Sequence, residues 1–121
     1  MKRDMELVRA ILTVLEEHPH GFAPAAIKIT GYSEEEVGFH CYIMAEAGLL
    51  TGRGTTSLAS TSPSLEPNIL TWEGYEFLGN TKNPQLWQQT KDMINGLGGA
   101  SFSVWSSVAA NVVMKNLGID V

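Results

Sequence analysis

Cysteine occurs once, at Cys41, so the chain can close no internal disulfide, a usage that fits a reducing compartment. Charged residues make up only 17% of the chain, and the basic ones are the scarcer: 8 Lys and Arg stand against 13 Asp and Glu, a net charge of −5. Affinity for nucleic acid rests on Lys and Arg neutralising phosphates, so this balance removes most of the long-range attraction. No apolar run approaches the roughly 20 residues of a membrane span. Asp4, Glu6, Arg9, Glu16 and Glu17 interrupt the N-terminal stretch where the core of a signal peptide would lie. A Gly-Lys-Ser/Thr phosphate loop is absent, and Gly52-Arg53-Gly54 lacks the third glycine and the strand-to-helix setting of a dinucleotide site. Together these absences predict a soluble, cytoplasmic protein without a membrane contact.

What is present is enough core for one small domain, with 44% apolar residues in 121. Met5, Val8, Ile11, Leu12 and Leu15 recur at helical spacing, which predicts a first helix from about Asp4 to His18. Pro19 and Gly21 end it. The alternation Ile27-Lys28-Ile29, after the loop at Pro24, predicts a short strand. Ser33 with Glu36 three residues on is a capping box for a second helix, with Glu34 and Glu35 in the turn where the helix dipole favours negative charge. Its inward stripe is Val37, His40, Cys41 and Met44, and Gly48 is placed to close it as a left-handed C-cap.

Leu49-Leu50 leads into a strand, Thr51 to Asn68 has the Ser, Thr, Gly and Pro content of a loop, and Ile69-Leu70 is the returning strand. Thr71 caps a third helix with Trp72, Tyr75 and Leu78 on one side. Asn83-Pro84 opens a fourth, with Leu86, Thr90, Met93 and Leu97 on one face and Trp87 and Ile94 beside it. After Gly96, Gly98 and Gly99, a last helix from about Ser101 to Leu117 carries the wide apolar stripe Phe102, Trp105, Val108, Ala109, Val112 and Val113.

Chemistry finds little support in these residues. His18, His20, His40 and Cys41 are the only histidines and cysteine, and none falls at zinc-finger spacing, so no metal and no cofactor is expected. His40 and Cys41 are neighbours on a helix and point about 100° apart, which bars a nucleophile–base pair. Glu34, Glu35 and Glu36 are accounted for by capping. The aromatic residues Trp72, Trp87, Trp105, Tyr75, Phe77 and Phe102 gather in the second half, where core packing explains most of them. A tryptophan left exposed would mark a binding hot spot.

The order helix, Ala47-Gly48-Leu49, hairpin, Leu70-Thr71-x-x-Gly74 resembles winged-helix regulators of the ArsR and MarR types, in which the helix before the glycine enters the major groove. A closer resemblance covers nearly the whole chain. Met1-Lys2-Arg3-Asp4-Met5, Gly31-Tyr32-Ser33-Glu34-Glu35, His40, Ala45-Glu46-Ala47-Gly48-Leu49 and Leu70-Thr71-Trp72-Glu73-Gly74 look like a family of small hypothetical proteins of bacteria, prophages and mobile elements. That family is catalogued as a domain of unknown function, so the resemblance implies a winged-helix-like fold and a mobile-element setting without an activity.

The expectation is therefore an α+β, mostly helical fold: a winged-helix-like body over 1–80 and a C-terminal helical extension over 81–121. The function expected is binding, not catalysis, through a protein partner, as a regulatory or host-defence-inhibiting accessory protein. A DNA-binding regulator acting as a dimer is the alternative. Candidate contacts with a macromolecule are Glu34, Glu35 and Tyr42 on the second helix, with Lys28 and Arg53 flanking it. The candidate homodimer contact is Trp105, Val108 and Val112. The polar face of the second helix carries Glu34, Glu35, Glu36 and Glu46 and no basic residue, which sets it against phosphate.

Overall fold

The computed structural model describes residues 1–119. Among the described residues, five helices and one antiparallel hairpin make an α+β, mostly helical fold, in the order α1 (Met5–Glu17), α2 (Glu34–Glu46), β1 (Leu50–Gly54), β2 (Leu65–Leu70), α3 (Trp72–Thr81), α4 (Pro84–Asn95) and α5 (Phe102–Asn116). The chain divides into two compact units, Met1–Tyr75 and a second from Glu76 onward, with the division inside α3.

In the first unit α1 and α2 pack on each other and on the hairpin. The Asp4 carboxylate caps α1 by accepting from the Glu6 and Leu7 N–H groups, and α1 buries Leu7, Val8, Ile11, Leu12 and Leu15. Pro19 confines the preceding residue to extended backbone, and His18 accordingly leaves the helix at φ −64°, ψ 134°. Both halves of the Ser33–Glu36 capping box form, and α2 buries Val37, His40, Cys41 and Met44. Gly48 takes φ +80° and turns the chain into β1.

The strand expected at Ile27–Ile29 does not form. The edge of β2 is met instead at Ala23, whose N–H donates to the Asn68 carbonyl. Pro24 follows and has no N–H to continue a ladder. Asn68 is the residue left over where the register shifts between Thr51–Ile69 and Gly52–Pro67, a bulge that releases its carbonyl from β1. The hairpin is also longer than the composition of 51–68 suggests: pairing runs out to Gly54–Leu65, and only residues 55–64 are loop.

Two motifs meet at the base of the hairpin. The Thr71 hydroxyl donates to the Gly48 carbonyl and accepts from the Gly74 N–H, which caps α3, while the Thr71 N–H donates to the Leu49 carbonyl. The first turn of α3 thus lies on the Gly48-Leu49 turn, and a Cβ on Gly74 would overlap the Leu49 carbonyl oxygen. Both glycines follow from this geometry, Gly48 by its positive φ and Gly74 by close approach.

In the second unit Asn83 caps α4 through Gln85 and Leu86, with Pro84 in the first turn, and Ser101 caps α5. The rings of Trp87 and Trp105 lie 5.4 Å apart and those of Phe77 and Phe102 4.9 Å apart. The inward face of α4 is Leu86, Trp87, Thr90 and Ile94; Met93 and Leu97, expected on that face, are exposed. Along α5, Trp105, Ala109 and Val112 are buried, while Phe102, Val108 and Val113 are half-buried.

Candidate functional site

The surface around α2 is built by the loop 55–64 folding back on it. The Thr61 and Ser62 hydroxyls both donate to Glu35 Oε1, at 2.6 and 2.7 Å. These bonds hold the Glu35 carboxyl below the usual carboxylate range. Gly38, one turn further along α2, admits the loop: a Cβ there would stand 3.1 Å from Ser64 Cβ. The loop is itself pinned by Thr55–Ser64 and Ser57–Ser60 hydroxyl contacts. The N-terminal half of α2 is therefore partly covered by the loop 55–64.

Arg53 is the only Lys or Arg between residues 50 and 70, and it is paired, at 2.7 Å, with Glu66 across the hairpin. An exposed pair of this kind adds little stability, but it engages the one cation of residues 50–70. Of the expected contact residues, Lys28, Glu34 and Glu35 share the lining of a groove of about 920 Å³ between residues 23–29, the start of α2, the loop 55–64 and the first residues of β2. Arg53 and Tyr42 do not line it, and Tyr42 is half-buried. Of the expected dimer contacts, Trp105 and Val112 are buried in the single chain and Val108 is half-buried.

Beneath this surface a polar network ties α1 to α2. Tyr32 Oη donates to Asp4 Oδ2 at 2.8 Å. The Asp4 N–H donates to His40 Nε2 at 2.9 Å, and His40 Nδ1 donates to the Glu36 carbonyl at 2.8 Å. His40 is 1% exposed with both ring nitrogens engaged, which makes it a structural strut and unavailable to a ligand. Cys41 beside it is buried, and burial pushes its thiol up to about 12, so the reactive thiolate is suppressed. No group of three or more His, Cys, Asp or Glu side chains placed to hold a metal ion occurs among the described residues.

The hydrogen bond to Asp4, then burial and the charge of Asp4, raise the Tyr32 phenol from 10.0 to about 12. A group whose pKa is higher folded than unfolded stabilises the fold below its unfolded pKa and loses that contribution as pH rises through the folded one. The stability lent by Tyr32 is thus expected to be intact below pH 10 and lost between about 10 and 12. Tyr32→Phe should cost about 1–2 kcal/mol at neutral pH, and its urea midpoint should fall less than the wild-type midpoint across that alkaline window. Parallel midpoints for the two proteins would remove the bond from the account.

The sequence pattern gave no means of choosing among the tryptophans, and the structure separates them. Trp87 and Trp105 are buried, whereas Trp72 is 76% exposed on the first turn of α3. Tyr75, one turn on, is 47% exposed, and Glu73 stands between them in the chain. Thr71, as N-cap with Gly74 turned onto Leu49, fixes which way that first turn faces.

A family model described as hypothetical protein DUF2513 matches residues 2–101. The chain is also 33% identical over 102 residues to a protein of Haemophilus influenzae that bears the name uncharacterized protein, a likeness covering 78% of this chain and 79% of that one. No solved structure matches it. By the family model and by this relative alike, the chain belongs to the DUF2513 family of hypothetical proteins.

Proposed function

We propose that this chain is a non-enzymatic binding module that acts in the cytoplasm through a protein partner, as a regulatory or host-defence-inhibiting accessory protein of the phage and mobile-element type. The observation that carries the reading is Trp72, a tryptophan left 76% exposed while the other two are packed away. Tryptophan is among the residues most often found at binding hot spots, and a small domain gains nothing in solution by exposing one. Tyr75 on the same face widens the apolar contact, and Glu73 adds a polar rim.

Absence of catalysis is supported by the same geometry, because Cys41 is buried with a raised thiol, His40 is held at both nitrogens, and Glu36 is spent on capping. No described helix is long and apolar enough to cross a membrane.

The second reading, a DNA-binding winged-helix regulator acting as a dimer, draws on the order α2, β1, β2, which presents a helix followed by a wing. The acidic first turn of α2, its cover by Thr61 and Ser62, and the Arg53–Glu66 pair count against it. Titration of a labelled random-sequence duplex at low salt separates the two. The expected outcome is no saturable binding in the micromolar range. Micromolar affinity with a steep salt slope, lost on Lys28→Glu or Arg53→Glu, would establish the second reading.

A further inference from the structure

Every non-proline residue brings one backbone donor and one acceptor that must be matched by protein or water. Between the Ala23 N–H, bonded to Asn68, and the Ile29 carbonyl, bonded to the Tyr32 N–H, residues Pro24 to Lys28 direct no backbone group to any other described part of the chain. They belong to no helix or strand, yet they form one wall of the 920 Å³ groove. The wall is also low. Ala23, Pro24, Ala25 and Ala26 carry no side chain long enough to hold another main chain away.

Charge and polarity narrow the occupant. Glu34 and Glu35 line the groove against the single ammonium of Lys28, and Glu66 at the rim is paired with Arg53, which does not line it. The lining is net acidic and favours a basic guest. Among the described residues no buried side-chain polar atom lacks a partner, so the groove holds no orphaned side-chain group waiting for a small polar ligand. What it holds open is main chain, with Ile27, Ile29 and Val37 as the apolar contacts beside it.

We propose that this groove takes an extended basic segment of a protein partner, which pairs main chain to main chain with Pro24–Lys28 and is matched in charge by Glu34 and Glu35. Strand addition of this kind draws affinity from backbone hydrogen bonds and selectivity from alternate side chains. In such an arrangement alternate residues of the guest face Ile27 and Val37, and those between face the carboxylates. The inference rests on the protein-partner reading but uses a surface to which Trp72 does not contribute.

The test uses the full chain and three fluorescein-labelled peptides: one of alternating lysine and valine, the same peptide N-methylated at alternate backbone nitrogens, and one of alternating glutamate and valine. The lysine peptide should bind in the micromolar range, the other two about tenfold or more weakly, since each loses hydrogen bonds or charge match. Amide shifts on binding should concentrate in residues 23–29, 34–41 and 55–67. Ala26→Pro removes one donor and should weaken the lysine peptide, while Trp72→Ala should leave it unchanged. Equal affinity for the N-methylated peptide, shifts outside those segments, or no binding of the lysine peptide overturns the proposal. If partner capture still depends on Trp72 in that case, the groove assignment fails alone and the protein-partner reading stands.

Discussion

Replacing Gly74 by alanine is expected to destabilise the first unit by about 2–3 kcal/mol, whereas the same change at Gly79, in the same helix, should stabilise by roughly 0.5–1 kcal/mol. Gly74 lies in the first turn of α3 and Gly79 in its last, and their surroundings decide the sign. Nothing lies within 4 Å of a Cβ on Gly79, so the only effect there is the better helix propensity of alanine. A Cβ on Gly74 meets the Leu49 carbonyl oxygen, a backbone atom fixed by the Thr71 N–H bond and by the turn at Gly48. No rotamer relieves that overlap, and α3 must move as a body, giving up the Thr71 cap. Denaturant unfolding of the two variants checks the account by the sign of the difference. Equal effects would mean that α3 does not rest on the Gly48-Leu49 turn.

His40→Ala should cost about 2–4 kcal/mol, from a cavity in a fully buried place and from two broken hydrogen bonds. The Asp4 N–H loses its acceptor, and with it goes the link between the α1 cap and α2. Amide exchange should speed up first at Asp4 and in the opening turn of α1. His40→Phe keeps most of the volume and isolates the polar share, so it should fall between wild type and His40→Ala. Wild-type stability in His40→Ala would make the network incidental.

The local elements were largely legible because their signals are local. Asp4, Ser33–Glu36, Thr71, Asn83-Pro84 and Ser101 each satisfy helix N–H groups within three residues, and the structure uses all five as caps or cap neighbours. Gly48 follows from the same short-range logic. Ile27-Lys28-Ile29 alternates like a strand, but the contact with β2 falls at Ala23, which meets the Asn68 carbonyl at a bulge that composition does not announce. Likewise the loop 55–64 looks unstructured as a string of Ser and Thr, but its hydroxyls find Glu35, some 26 residues earlier in the chain. Leu86, Thr90, Met93 and Leu97 share helical spacing, yet Met93 and Leu97 are exposed and the buried face of α4 is Leu86, Trp87, Thr90 and Ile94. The groove and the exposed Trp72 are long-range outcomes of the same kind.

Quantitative affinity capture from the native host on tagged protein, with and without nuclease and with Trp72→Ala in parallel, tests the central claim most directly. The account expects a defined protein partner that survives nuclease treatment and is lost, or reduced at least about tenfold, with Trp72→Ala, as for a buried aromatic anchor worth about 1.4 kcal/mol or more. The variant should melt with the wild type, since Trp72 is exposed and packs on little. A partner set that vanishes with nuclease, or one indifferent to Trp72, would contradict it.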